Sequence, residues 1–201
     1  MGQKMMKTGM DCGQHETCDA GAEPITLGPD FRAPASSAID TRNLRNALGG
    51  FVTGITVVTS RAPDGRTAGV TVNSFCSVSL DPPLVLWCLS RTAPSYPVFL
   101  DASHFAIHVL AEDQAHLSAR FSGQSKPTAR SRDKFAGLEL SDGLGGAPIL
   151  ANVVARYECR LERRYDGGDH LIMVGEVERY HHTERPPLLF HAGRHRGLSR
   201  P

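Results

Sequence analysis

The sequence predicts a mainly β domain, an antiparallel barrel or sandwich, and three observations lead there. About seven short runs rich in Val, Ile, Leu and Phe are separated by Gly, Pro and Asp turns, while helix-like periodicity is confined to brief stretches. No Gly-x-Gly-x-x-Gly follows a strand-like run, so the dinucleotide fingerprint of a doubly wound sheet is absent. Residues 68–86 alternate small polar with apolar side chains before a double proline. On a strand this alternation puts Thr71, Asn73, Ser77 and Ser79 with Phe75 on one face, and Val70, Val72, Cys76 and Val78 on the other. One face can hold a ligand while the other packs.

Residues 1–37 are rich in Gly, Pro, Ala and polar side chains and lack periodicity, which predicts a flexible tail before a domain spanning 38–201. Asp40 is positioned as an N-cap for a short helix carrying Leu44, Ala47, Leu48 and Phe51 at helical spacing, stopped by Gly49-Gly50. The β-branched run 54–60 reads as a strand, and Pro63-Asp64-Gly65 turns it into the polar-faced strand, forming a hairpin. Pro82-Pro83 is expected to break pairing, after which 84–89 is a buried strand. Residues 95–100 predict a turn or short helix. Residues 104–110 then return as a strand, with Phe105, Ile107 and Val109 opposite His104, Ala106, His108 and Leu110.

A helix over 112–121 is followed by a polar, basic stretch holding Lys126, Arg130 and Arg132, and 143–148 is a turn-rich connection. Two further strands, 153–161 and 171–177, flank Arg164-Tyr165-Asp166-Gly167-Gly168-Asp169-His170, and 188–191 is the last strand-like piece.

Composition narrows the function. A chain of 201 residues, 40% apolar and 21% charged, suits one domain with a sizeable core. A formal net charge of +1 gives no electrostatic case for nucleic acid or an anionic membrane as the main partner, although a local cluster can still bind a small anion. No apolar run reaches membrane-span length, and the first 35 residues hold no apolar signal core, so the expected compartment is the cytoplasm. Five cysteines in such a chain read as free thiols, with Cys76, Cys88 and Cys159 expected as small buried hydrophobes. Cys12, His15 and Cys18 match no structural zinc pattern, and His181-His182 on a strand would point to opposite faces, so no metal site is expected. Ser74, Asp169 and His170 without a Gly-x-Ser-x-Gly elbow do not make a hydrolase.

Phe51-Val52-Thr53-Gly54-Ile55-Thr56-Val57-Val58-Thr59, then Gly69-Val70-Thr71-Val72-Asn73-Ser74-Phe75 with Ser77-Val78-Ser79, then Asp81-Pro82-Pro83-Leu84-Val85, and finally Gly168-Asp169-His170 and Gly175-Glu176-Val177 occur in one order along the chain. Together, from about Leu44 to Leu198, they resemble the short-chain flavin reductases, the reductase partners of two-component flavin monooxygenases. The resemblance implies an FMN-binding split β-barrel, Greek-key-like and antiparallel, that works as a homodimer. It implies an NAD(P)H-dependent flavin reductase that passes hydride from NADH or NADPH to FMN or FAD and supplies reduced flavin to a separate oxygenase.

By the same resemblance, Thr71, Val72, Asn73, Ser74, Ser77 and Val78 bind the isoalloxazine and ribityl chain. Ser90, Arg91 and Ser95 lie near the phosphate, where a guanidinium suits phosphate oxygens. His170 stands beside flavin and nicotinamide as the catalytic histidine, and Phe190 and His191 border the nicotinamide. Asp133-Lys134-Phe135-Ala136-Gly137 is similar to a family segment near the active site. Two rival readings use the same motifs: a split-barrel module that senses or stores FMN without turnover, and a reductase of this fold acting on a corrin, a quinone or pyridoxamine phosphate.

Overall fold

Five consecutive residues, Thr56 to Ser60, are buried, which an ordinary half-exposed strand does not allow. The reason is that this strand is covered on both sides. Val58 packs into a cluster with Trp87, Phe99, Phe105, Ile107 and Met173, while its neighbour Val57 packs into a second cluster with Leu117, Phe121, Phe135 and Leu188. The first cluster is the barrel interior, where Trp87 meets Phe99 and Phe105 edge-on at ring separations of 5.0 and 5.7 Å. Such pairs add about 1 kcal/mol each beyond the area they bury. The second cluster lies outside the strand, under a helix.

The structure, a computed structural model, describes residues 39–123 and 133–198. The expected tail, Cys12, His15, Cys18, and the cations Lys126, Arg130 and Arg132 lie outside the described residues. The elements run α1 (Thr41–Leu48), β1 (Thr53–Gly54), β2 (Thr56–Arg61), β3 (Thr67–Val72), β4 (Cys76–Leu80), β5 (Pro83–Ser90), α2 (Tyr96–Asp101), β6 (His104–Val109), α3 (Ala115–Phe121), β7 (Leu140–Asp142), β8 (Pro148–Leu150), β9 (Ala155–Gly167), β10 (His170–His182), β11 (Leu189–His191) and β12 (Arg194–Arg196). Seven strands form one antiparallel sheet in the order β3-β2-β6-β9-β10-β5-β4. Two small sheets, β1-β11-β12 and β7-β8, lie beside it.

The two edge strands of the large sheet are sequence neighbours, because only Asn73, Ser74 and Phe75 separate β3 from β4. Four peptide steps span at most about 14 Å, so the sheet must curl until its edges nearly meet. This is the split barrel implied by the resemblance. It also corrects the expectation of one continuous polar-faced strand. The strand breaks at Asn73, Phe75 turns inward to stack on Tyr157 at 5.4 Å, and the Ser74 hydroxyl accepts a hydrogen bond from the Cys88 amide at 2.9 Å. Beyond the break a register irregularity between Ser77 and Ser79 shifts the alternation again.

Local turns account for the remaining differences. The two prolines do not end pairing but turn it: Leu80 faces Pro83 across the β4–β5 hairpin, with Pro83 at the first strand position, where proline is tolerated. Asp40 caps α1 as expected, its carboxylate accepting from the Arg42 amide at 2.9 Å and the Asn43 amide at 3.4 Å. The helix expected over 112–121 opens as a 3-10 turn, Glu112–Gln114, before α3. β9 and β10 are each 13 residues long and joined only by Gly168-Asp169, so most of the expected loop is strand. Cys159 is buried, Cys88 half-buried and Cys76 exposed. The last departs from expectation because β4 is an edge strand with its outer face open. None of the described helices is long and apolar enough to cross a membrane.

Candidate functional site

Gly69 lets α3 lie against β3, since a Cβ there would fall inside the contact distance of the Phe121 ring. One turn earlier along α3, Ser118 is buried, and its carbonyl accepts the Thr71 hydroxyl at 2.8 Å. β3 and α3 thereby make one wall and the floor of a cavity of about 360 Å³. Thr71, Val72 and Asn73 line its β3 side, and Ser118 and Ser122 its α3 side. The Gly69 carbonyl points away from β2, toward Lys134 Nζ at 3.2 Å, as expected for the unpaired outer row of an edge strand.

The opposite wall is the C-terminal hairpin. Its two-residue turn has Ala192 at φ 47° and Gly193 at φ 76°, both in the left-handed region that a tight hairpin turn requires. That turn sets the register Phe190↔His195, and β1 adds Thr53↔Phe190, so Thr53, Phe190 and His195 form one cross-strand row on one face. Phe190 and His195 line the cavity, with ring centroids 6.3 Å apart, and His195 Nε2 lies 3.1 Å from the Ser118 hydroxyl. The Thr53 hydroxyl is buried without a hydrogen-bond partner among the described residues. Hydrogen bonds from the Ile55 amide to the Leu188 carbonyl (3.1 Å) and from the Leu188 amide to the Leu110 carbonyl (2.8 Å) fix the hairpin's base to the barrel.

A second group gathers at the β9–β10 turn. His170 sits opposite Ser90 of β5, and its Nδ1 lies 2.7 Å from the Asp169 carboxylate. This hydrogen bond, followed by the attraction of the ring, holds the Asp169 carboxyl below its ordinary range. The Arg91 guanidinium is engaged at each nitrogen: Nε donates to the Gly168 carbonyl at 3.0 Å, one terminal nitrogen to Asp166 at 2.7 Å, and the other to the Tyr96 hydroxyl at 3.4 Å. Its backbone amide also donates to the Asp169 carbonyl at 3.0 Å. Ser90 Oγ and Thr92 Oγ1 are 3.1 Å apart.

Ser95 precedes α2 without a side-chain cap and lines a recess of about 200 Å³ together with Gly69 and Lys134. Burial lowers the pKa of Lys134, whose ammonium donates to the carbonyls of Gly69 and Phe121, the latter at 2.8 Å.

The expected site residues therefore divide. Thr71, Val72, Asn73 and Phe190 share the cavity, whereas Ser90, Arg91 and His170 meet at the turn. Ser74 is engaged with Cys88, and Ser77 and the half-exposed Val78 lie on the outer strand β4. His191 alternates with Phe190, so it projects from the other face of the hairpin. Ser118, Ser122 and His195 enter the cavity without having been expected there. The sequence signal for His195 was the Ala192-Gly193 turn, which registers it with Phe190, but alanine is a poor marker of a left-handed turn. Among the described residues no group of three or more His, Cys, Asp or Glu is arranged to hold a metal ion.

A family profile described as "Flavin reductase like domain" matches residues 48–199. The chain is 48% identical over 154 residues, 77% of its length and 84% of the other, to the FMN reductase (NADH) SmoA of Agrobacterium fabrum. It is 40% identical over 167 residues, 83% of its length and 82% of the other, to HsaB of Rhodococcus jostii, the reductase subunit of a flavin-dependent monooxygenase. Among solved structures, the NADH:FAD oxidoreductase SgcE6 of Streptomyces globisporus superposes with a TM-score of 0.72 at 35% identity, covering 86% of this chain and 97% of that one.

Proposed function

The chain belongs to the flavin reductase-like domain family, and on that premise we propose that it is an NADH-dependent flavin reductase that reduces FMN or FAD and hands the reduced flavin to a separate monooxygenase component. The observation that carries this reading is the cavity between β3, α3 and the C-terminal hairpin, whose size and mixed polar and aromatic lining suit a flat heteroaromatic ligand. The outer edge of β3, unpaired among the described strands, offers backbone groups to the hydrogen-bonding edge of such a ring. The bound flavin supplies the hydride acceptor, N5, for the nicotinamide C4 hydride.

The protein's own part is to place the rings. Thr71, Val72 and Asn73 orient the flavin from β3, with Ser74, Ser77 and Val78 along its continuation. Phe190 provides a flat opposing surface, with His191 at its margin. His170 offers its imidazole to the reacting rings from the start of β10, held by Asp169. Lys134 and Ser95, in the neighbouring recess along β3, suit the flavin phosphate, since a desolvated ammonium gains most from a phosphate dianion. Arg91, beside Ser90, serves the same phosphate only by loosening its bond to Asp166.

Reduction of FMN under anaerobic conditions tests the proposal. Catalytic protein with NADH should bleach the visible flavin band rapidly, and NADPH more slowly; no NADH oxidation above a heat-killed control would refute the activity. Flavin binding without bleaching would favour a storage or sensing module.

We further propose a homodimer working in the cytoplasm, where NADH is at hand. Leu80 is 93% exposed and Val78 50% exposed on the edge strand β4, and Leu48 and Phe51 on and after α1 are 67% and 78% exposed. A second copy covering these faces removes an otherwise unprotected edge. Sedimentation equilibrium at twice the monomer mass supports it, and a monomer at micromolar concentration refutes it.

A further inference from the structure

Ser118 is a buried serine whose hydroxyl has a single partner among the described residues, His195. The contact crosses from the helix under β3 to the hairpin opposite, so it fixes the His195 ring in the cavity wall. The ring's other nitrogen, Nδ1, has no partner among the described residues. The edge-on contact with Phe190 restrains the ring further. Across the cavity, the Asn73 side chain likewise has no hydrogen-bond partner among the described residues and lines the same space.

We propose that His195 positions the nicotinamide by hydrogen bonding to its carboxamide, and that Ser118 is the positioning residue that aims His195. The proposal rests on the reductase reading above. With a flavin against the β3 edge, the hairpin wall faces the ring surface left open, which is where a nicotinamide must stack.

The chemistry of the pair suits a group that both donates and accepts, as a primary carboxamide does. If Ser118 donates to Nε2, the imidazole presents a Nδ1 N–H donor; if Nε2–H donates to Ser118, it presents a Nδ1 acceptor. A carboxamide carries both an acceptor oxygen and an N–H donor, so it satisfies either tautomer. A carboxylate or phosphate satisfies only the first.

The test is binding of oxidised NAD⁺, which needs no turnover, to the FMN-loaded full chain by calorimetry. His195→Ala should weaken NAD⁺ about tenfold, as expected for one lost hydrogen bond in a partly enclosed site. FMN affinity should stay within about twofold. His195→Gln, whose amide both donates and accepts, should recover most of the loss, and Ser118→Ala should weaken NAD⁺ about threefold. Because His195 lies on an exposed hairpin, its two variants are expected to keep the wild-type melting profile, and a thermal scan checks all three variants.

Unchanged NAD⁺ affinity in His195→Ala, or an equal loss of FMN and NAD⁺ affinity, overturns the proposal. So does absence of NAD⁺ binding by the wild type. NADH oxidation by the wild type with free FMN reads the reductase assignment separately. A protein that binds NAD⁺ through His195 yet turns over no NADH leaves this inference standing and removes that one.

Discussion

Two regions of the molecule use histidine in opposite ways. Between β2, β6 and β8, His108 is fully buried and both ring nitrogens are engaged: Nδ1 donates to the Val57 carbonyl at 3.0 Å, and Nε2 accepts from the Leu150 amide at 3.2 Å. Burial pushes its pKa down to about 4, so at neutral pH it is an uncharged cross-link that ties β8 onto the sheet. At the cavity, His195 has one nitrogen engaged and the other without a partner among the described residues, and the Asn73 side chain on the facing wall is likewise without one. Residue type is the same; the count of unengaged donors and acceptors separates scaffold from site.

Acid should expose the scaffold first. The unfolded chain protonates His108 near pH 6.5 and the folded one only near 4, so stability present above pH 6.5 is lost as pH falls through that window. The loss is about 3 kcal/mol, read as a falling denaturation midpoint between pH 7 and 4. A flat profile would break the contrast between the two regions.

A smaller effect, about 1–3 kcal/mol, is expected for Gly69→Ala, which drives a methyl into Phe121 and Phe135 and prises α3 from β3. Gly54→Ala meets open space and ordinary backbone, so chemical denaturation should show it near wild type. Equal stability of the two variants would mean that the β3–α3 seam does not shape the cavity.

At the turn, His170→Ala should slow NADH oxidation about tenfold while FMN binding persists. Unchanged turnover assigns His170 to the Asp169 contact alone. The smallest difference sharpens the phosphate assignment. Lys134→Met should weaken FMN about tenfold and Arg91→Ala about threefold, because the Arg91 guanidinium already serves the β9–β10 turn. The reverse order in a fluorescence titration would place the phosphate at Arg91.

Legibility in the sequence followed the range of the interactions. The β2–β3 hairpin was readable because β-branched Val57 and Val58 and the Pro63-Asp64-Gly65 turn are local signals. Asp40 as a cap was equally local. The break after Val72 was not readable, since alternation continues through Asn73 and Phe75, and only the need to join two sheet edges interrupts it. Thr71 to Asn73 and Phe190, named from the family motifs, line one cavity. His195 and Ser118 were missed because their meeting depends on a hairpin turn built on Ala192 and on a contact spanning 77 positions in the chain. Arg91 was read as an available cation. Its engagement by Asp166 and Gly168 is a tertiary fact that no spacing reveals.

The short passage from Asn73 to Phe75 closes the barrel, and its first residue, Asn73, lines the cavity. Whatever occupies that cavity is therefore a clasp on the seam of the sheet. Occupancy is linked to cohesion: ligand at a hundred times its dissociation constant adds about 2.7 kcal/mol to folding, and that gain should fall on the amides of the two edge strands. Hydrogen exchange at β3 and β4 would then slow with each increment of flavin, making the barrel's own seam a gauge of how much cofactor the protein carries.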